Sequence, residues 1–317
     1  MKKRKLGKNG PEITVIGLGT WAIGGPWQFG WGKQEDKKSI EAVIKSVEQG
    51  INWIDTAPAY GLGHAEKIVA KALKEINEDI FVATKCGLVW DDRGRIQRHN
   101  KAESIRKECE DSLKRLETET IDLYQIHWPD PNTSIEESWG EMVKLKEEGK
   151  VRYIGVSNYT ADMIENCEKI GHVDSSQPPF SLLKREIEKD VLPVCDKNQT
   201  ATLAYSPMQA GLLSGSFNHE KLKNLASDDW RKKDYFFKEP LFSKIVQAVD
   251  KLKEIAREKN VSAGTLALAW VLHKKGVTSA IAGARNELQA KENAAAAELE
   301  INLEESLKIE KIFNNYT

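Results

Sequence analysis

Cysteine is scarce in this chain: four in 317 residues, at Cys86, Cys109, Cys167 and Cys195, far apart and never in a CxxC pair. That spacing excludes a dense disulfide framework and a zinc-finger ligand set, and predicts reduced thiols in a cytoplasmic protein. Charge of one sign is lacking too. The 47 basic and 48 acidic residues leave a net charge of −1 and a pI near 6.6, which argues against a nucleic acid or a membrane surface as partner. No apolar run reaches the roughly 18 residues of a membrane-spanning helix. The basic start "MKKRKLGKNG" is not followed by an apolar stretch of signal-peptide length. No low-complexity tract and no Pro/Gly/Ser-rich linker divides the chain, so residues 1–317 read as one domain. Nothing in the composition sets the oligomeric state.

What the sequence does contain is an alternation. "IFVATK" (80–85), "IDLYQIHW" (121–128), "VRYIGVSN" (151–158), "TATLAYSP" (200–207) and "TSAIAGAR" (278–285) are short, β-branched or aromatic, and strand-like. "VIGLGT" (15–20) and "DSSQPP" (174–179) are weaker candidates that complete the series. Helical stripes lie between them, as in Ile40, Val43, Ile44 and Val47 before Gly50, or Ile105, Cys109, Leu113 and Leu116. Eight strand ends fall near 20, 56, 85, 127, 157, 177, 206 and 283. Repeated βα units imply a parallel sheet, and eight of them favour closure into a (β/α)8 TIM barrel. The long final gap predicts an insertion over 221–240 and an extra helix beyond it, near the C-terminus. "KRKLGKNGPEITVIG" reads as an N-terminal β-hairpin turning at Asn9-Gly10.

One motif is a decoy. "GLGTWA" (17–22) fits the GxGxxA dinucleotide fingerprint, which needs a helix directly after its glycines. Here "IGGPWQFGWG" follows, and no acidic residue closes a second strand at the required distance.

Active sites of such barrels gather at the carboxyl ends of the strands. Those ends carry Asp55, with Tyr60 in the following loop, then Lys85 and His127. Singly, each has an ordinary explanation: a capping carboxylate, a packed aromatic, a solvated charge, a core histidine. Together on three adjacent ends they form a set, because a buried lysine and aspartate must pair. A free tyrosine, with a pKa near 10, is a poor proton donor at neutral pH. The expectation is that the Lys85 cation lowers the Tyr60 pKa, that Asp55 holds the lysine, and that His127 orients a carbonyl oxygen. No nucleophile with its own base and no metal-ligand spacing is present, so no metal site is expected and something else must attack the carbonyl carbon.

"GINWIDTAPAYGLGHAE", "VATKC", "IDLYQIHWPD", "GKVRYIGVSN" and "IAGARNELQAKEN" occur in the order seen in aldo-keto reductases, and the chain resembles that superfamily over roughly residues 4 to 314. It is most similar to the bacterial members related to general-stress and inositol-associated reductases. The resemblance implies a barrel that binds NADP(H) without a Rossmann domain and reduces aldehydes or ketones to alcohols by hydride transfer. It places the catalytic tetrad on Asp55, Tyr60, Lys85 and His127, with Tyr60 as general acid. Ser157, Asn158 and Gln177 then match the carboxamide site and Tyr205 the ring stacked on the nicotinamide. Thr20 and Trp21 sit beside the cofactor, and the segment Ser206, Pro207, Met208, Gln209, Ala210 lies along it. Gly283, Ala284, Arg285, Gln289, Glu292 and Asn293 match the adenosine-phosphate segment, where Arg285 suits a 2′-phosphate.

Two departures stand out. Many relatives carry arginine where this chain has Gln289, leaving Arg285 and Arg231 to compensate. In "GLLSGSFN" (211–218), Ser216 replaces a lysine, removing one phosphate contact. Trp21, Trp27, Trp31, Trp90 and Trp128 are expected to wall a pocket for a small carbonyl substrate. "DDRGRIQRH" (91–99) reads as a solvated loop, though Arg93, Arg95, Arg98 and His99 would suit anionic substrates. Two alternatives remain: a redox-sensing regulatory subunit resembling the potassium-channel β-subunits of the same superfamily, and a barrel isomerase or hydrolase. The latter would need a metal or phosphate loop that is not evident.

Overall fold

The computed structural model of the 317-residue chain describes residues 1–227, 229–314 and 316. It opens with a hairpin, β1 (Lys3–Lys5) against β2 (Glu12–Thr14), antiparallel with Lys5 opposite Glu12. Six residues join the two strands, so the turn is wider than the Asn9-Gly10 reading predicts. The backbone reverses at Gly7, in the left-handed region at φ +58°. Leu6 and Ile13 are buried, in one apolar cluster with Trp53, Leu123 and Leu203 of the barrel. The loop places Leu6, and β2 places Ile13, in that cluster.

Eight parallel strands then close into a barrel. In chain order they are β3 (Ile16–Gly19), β4 (Trp53–Asp55), β5 (Phe81–Cys86), then β8 (Ile121–Ile126) and β9 (Val151–Ser157), with β6 (Leu88–Trp90) and β7 (Ile96–Arg98) forming a separate antiparallel hairpin. The series ends with β10 (Ser175–Gln177), β11 (Ala201–Tyr205) and β12 (Val277–Gly283), which pairs with β3 to close the ring. Each strand end lies within a residue of its expected place. The β6–β7 hairpin was not expected: within the stretch read as a solvated loop, 91–95 form its turn and Ile96–Arg98 a strand, and most of these residues are exposed.

The helices between the strands are α1 (Asp36–Glu48), α2 (His64–Leu73), α3 (Ala102–Leu116), α4 (Ile135–Glu147), α5 (Ala161–Glu168) and α6 (Val191–Asn198). In α1, Ser39, Ala42, Val43, Ser46 and Val47 are buried, the spacing of one helical face turned to the barrel. Two strands that look weak as sequence are explained by what they face. A Cβ at Gly17 of β3 would stand 2.1 Å from the Trp53 ring, so only glycine lets that indole fill the barrel floor. A Cβ at Gly155 of β9 would stand 2.1 Å from Ser175 Oγ of β10.

The predicted insertion holds a short helix, α7 (His219–Lys223), and 3-10 turns at Trp230–Lys233 and Tyr235–Phe237; Asp228 within it lies outside the described residues. The extra helix follows as α8 (Leu241–Glu258). Then come α9 (Ala263–His273), apolar on every side and buried, α10 (Glu287–Ala296) and α11 (Leu303–Phe313). All four cysteines are free and buried. Among the described residues no helix is long and apolar enough to cross a membrane.

Candidate active site

The four residues of the expected tetrad meet at the carboxyl end of the barrel. Lys85, one residue before the end of β5, points inward and is fully buried; Asp55, the last residue of β4, is 2% exposed. Lys85 Nζ donates to Asp55 Oδ1 at 2.8 Å, to Oδ2 at 2.7 Å, to the Thr56 carbonyl at 2.9 Å and to Tyr60 Oη at 3.4 Å. The carboxylate is held in turn: Gln177 Nε2 donates to Asp55 Oδ1 at 2.8 Å, and the Thr20 hydroxyl and amide both donate to the Asp55 carbonyl at 3.0 Å. His127 follows β8, its ring edge-on to Tyr60 at 5.7 Å. No group among the described residues holds its ring nitrogens, and it lines the cavity.

The electrostatics correct one expectation. Burial pushes the Tyr60 phenol well above the ordinary tyrosine value, and the Asp55 carboxylate and then Tyr205 add to the rise. The lysine does not reverse this, because its ammonium is closer to the aspartate oxygens than to the phenol and the pair acts on Tyr60 nearly as a neutral dipole. Burial also lowers the Lys85 ammonium from its usual value, opposed by Asp55 and, further off, by Glu66. His127 falls well below the usual histidine value through burial, with Lys85 adding to it. The site therefore holds a protonated phenol and a neutral imidazole beside an ion pair. It can give a proton to an oxygen on which charge develops.

Beside this cluster runs a polar chain. Tyr205 Oη donates to Asn158 Oδ1 at 2.8 Å, and Asn158 Nδ2 donates to the His127 carbonyl at 2.9 Å and to Ser157 Oγ at 3.0 Å. Ser157 Oγ donates to the Gln177 carbonyl at 2.8 Å. Asn158, Ser206, Gln209 and Ala210 all take left-handed backbone angles, φ +62°, +53°, +44° and +53°. Non-glycine residues store strain there, and such positions cluster at functional sites. Ser206, Pro207, Met208 and Ala210 line the cavity, whereas Gln209 does not; its side chain accepts from Ser181 Oγ at 3.3 Å. Thr20 and Ala284 are buried outside the lining.

The cavity, about 910 Å³, is roofed by the insertion. Trp230 stacks on Trp21 at 5.0 Å, and Trp31 meets Trp21 edge-on at 5.6 Å. Trp27 and Trp128 also line it; Trp90, on β6, does not. Arg231 is not the free phosphate ligand that the sequence suggests. Its Nε and Nη2 donate to Asp229 Oδ1 and Oδ2 at 2.9 and 2.6 Å, and its guanidinium lies 4.4 Å from the Trp31 ring. A residue that the sequence does not single out stands beside the altered serine. Lys221 Nζ donates to Ser216 Oγ at 2.8 Å, lines the cavity and has no carboxylate partner among the described residues. Five positions on, in a one-turn helix, it carries no motif that would betray it.

At the far end, Arg285 Nε and Nη2 donate to Gln34 Oε1 at 2.9 and 2.7 Å, and Gln289 Oε1 accepts from the Arg285 amide at 2.8 Å. Asn293 Nδ2 donates to the Gly283 carbonyl at 3.1 Å. Asn286 caps α10, its side chain accepting from the Gln289 amide.

A closed parallel barrel with this rim defines a class, and comparison with known proteins agrees. The model of the Aldo/keto reductase family matches residues 15–314, and the chain belongs to that family. It is 39% identical to an aldo-keto reductase, YhdN, of Bacillus subtilis strain 168, over 99% of this chain and 94% of the relative. It is 35% identical to an NADH-specific methylglyoxal reductase of Escherichia coli K12, covering 96% of each. Among solved structures, a glycerol dehydrogenase of Gluconobacter oxydans superposes with a TM-score of 0.90 at 38% identity, over 99% of this chain and 95% of that one. The protein is thus an oxidoreductase of small carbonyl compounds that works with a nicotinamide cofactor.

Replacing Lys85 by methionine strands the Asp55 carboxylate inside the barrel. Urea unfolding should show a loss of about 3–5 kcal/mol, and adding Asp55→Asn should recover part of it. Equal losses for the single and double variants would show that stranded charge is not the cause.

Proposed function

We propose that the protein is an NADPH-dependent reductase of aldehydes or ketones in which Tyr60 gives the proton to the carbonyl oxygen. The observation that carries this reading is the approach of Lys85 Nζ to Tyr60 Oη, 3.4 Å, at the floor of the large cavity. The walls suit a dinucleotide. The indole Nε1 atoms of Trp31 and Trp230 are buried without a partner, and the Tyr205 ring, Gln177 and Asn158 converge beside the tetrad. Bound there, the reduced nicotinamide supplies the hydride.

The chain's own residues do the rest. Tyr60 keeps its proton until charge grows on the substrate oxygen, because burial holds its phenol protonated. Lys85 Nζ then donates its hydrogen bond to the phenolate left behind, and Asp55 keeps that donor in place before the reaction starts, so little reorganisation is needed. Neutral His127 donates to the same oxygen and fixes its direction. Ser157, Asn158 and Gln177 suit the carboxamide; Tyr205 offers a flat face to the ring. Ser216 with Lys221 serves the pyrophosphate. Gly283, Ala284, Arg285, Gln289 and Asn293 form the adenosine end, with Arg285 as the cation for a 2′-phosphate.

Tyr60→Phe should lower kcat by about 10²–10⁴-fold while the Kd for NADPH, from tryptophan fluorescence, stays as in the parent. Near-parental turnover in the phenylalanine variant would remove the phenol from the mechanism. With Tyr60 titrating above its usual range and His127 below its own, kcat/KM for reduction should be level between about pH 6.5 and 9. A limb inside that window means that another group gives the proton.

The E. coli relative is named as NADH-specific, so cofactor choice needs its own test. Arg285→Ala should raise the Kd for NADPH about tenfold and that for NADH far less, as loss of a charge-assisted contact to one phosphate requires. Lys221→Met should weaken both alike, since both carry the pyrophosphate. Equal parental affinities for NADH and NADPH would overturn the preference.

A further inference from the structure

The substrate end of the cavity carries a cation that the mechanism does not use. Arg98 ends β7, in the hairpin over the mouth, and lines the cavity beside Trp128 and His127. Its guanidinium lies 4.7 Å from the Trp128 ring centre, and its Nη1 donates to the Pro129 carbonyl at 3.4 Å. The neighbouring Arg95 is neutralised by Asp91, whereas Arg98 has no carboxylate partner among the described residues. Its backbone is fixed by the ladder opposite Leu88, and the Ile96 amide donates to Gln28 Oε1 at 3.0 Å. Trp27, Phe29, Leu88 and Ile96 line the same cavity and carry no charge to compete with it for an anion.

We infer that Arg98 is a specificity-determining residue that binds an anionic group, carboxylate or phosphate, at the far end of the carbonyl substrate. Contact with Trp128 and the Pro129 carbonyl steadies the guanidinium at the cavity wall, where its remaining N–H groups can grip an oxyanion through two hydrogen bonds. The ring it rests on belongs to the residue next to His127, so an anion a few bonds from the carbonyl reaches both. The assignment of the reacting end rests on the reductase reading; the anion site can be read without turnover.

The test compares kcat/KM for succinic semialdehyde against butanal, and for glyceraldehyde 3-phosphate against glyceraldehyde. At least one charged member should be preferred about tenfold or more, the scale of a charge-assisted hydrogen bond. The winning pair identifies the anion. In Arg98→Gln that ratio should collapse toward one, and Arg98→Lys should restore part of it; each ratio is taken on one preparation, so a loss of folded protein cancels. Calorimetry gives the second readout: 4-hydroxybutyrate should bind Arg98→Gln about tenfold more weakly than the parent. Neutral aldehydes reduced with no preference for either charged partner, or a ratio and a Kd untouched in Arg98→Gln, overturn the inference alone. No turnover of any of the four aldehydes overturns the reductase reading, and an unchanged 4-hydroxybutyrate Kd then removes the anion site as well.

Discussion

A lysine ammonium with no exposed surface, locked to an aspartate at the mouth of a closed barrel, is the constraint on which this molecule is organised. Burying two charges costs several kcal/mol each unless their remaining hydrogen-bonding capacity is met. Here it is met from three strands and a loop. Asp55 takes Lys85 and Gln177; Lys85 also takes the Thr56 carbonyl and reaches Tyr60; Thr20 clamps the Asp55 backbone. A change in strand tilt or register would break at least one of these contacts. The ion pair therefore positions the strand ends as much as the strand ends position it.

Burial sets the protonation states around that pair. A full unpaired cation would make Tyr60 acidic; a paired one leaves burial in control, so the phenol stays neutral while the nearby imidazole is kept from charging. The rim is equally determined. Asn158 stands in the left-handed region, and from there its amide reaches the His127 carbonyl and Ser157 while its carbonyl oxygen takes the Tyr205 hydroxyl. Backbone strain at one residue is offset by three hydrogen bonds.

Much of this was legible in the residues. "IDLYQIHW" and "VRYIGVSN" announce strands because β-branched and aromatic side chains fill both faces of a buried parallel sheet. Asp55, Lys85 and His127 then follow from where those strands stop. Other parts were legible only through the repeat. "IGLG" has little strand propensity, since its glycine makes room for Trp53, whose position depends on a different βα unit. The β6–β7 hairpin, the stacking of Trp230 on Trp21 and the approach of Lys221 to Ser216 are contacts between loops. No local pattern encodes them, because loop conformation is set by what the barrel places opposite. The direction of the Tyr60 shift was misread for a related reason. The partners can be read from a sequence, but the order of distances within a cluster of charges cannot.

Charge around the cavity completes the argument. The chain as a whole is nearly neutral, at −1, yet the charges that line this cavity without a partner are of mainly one sign. Arg98, Lys221 and Arg285 stand without a carboxylate among the described residues, against Glu292 alone on the acidic side; Asp55 and Arg231 are already paired. A concave, low-dielectric wall focuses such a field toward the mouth. Both ligands that the reading calls for, a dinucleotide with its phosphates and a carbonyl compound with an anionic tail, are drawn down the same gradient to opposite ends. The neutral tetrad between them is then the one place where the field does not hold a ligand by charge. A small uncharged carbonyl group can settle there and react.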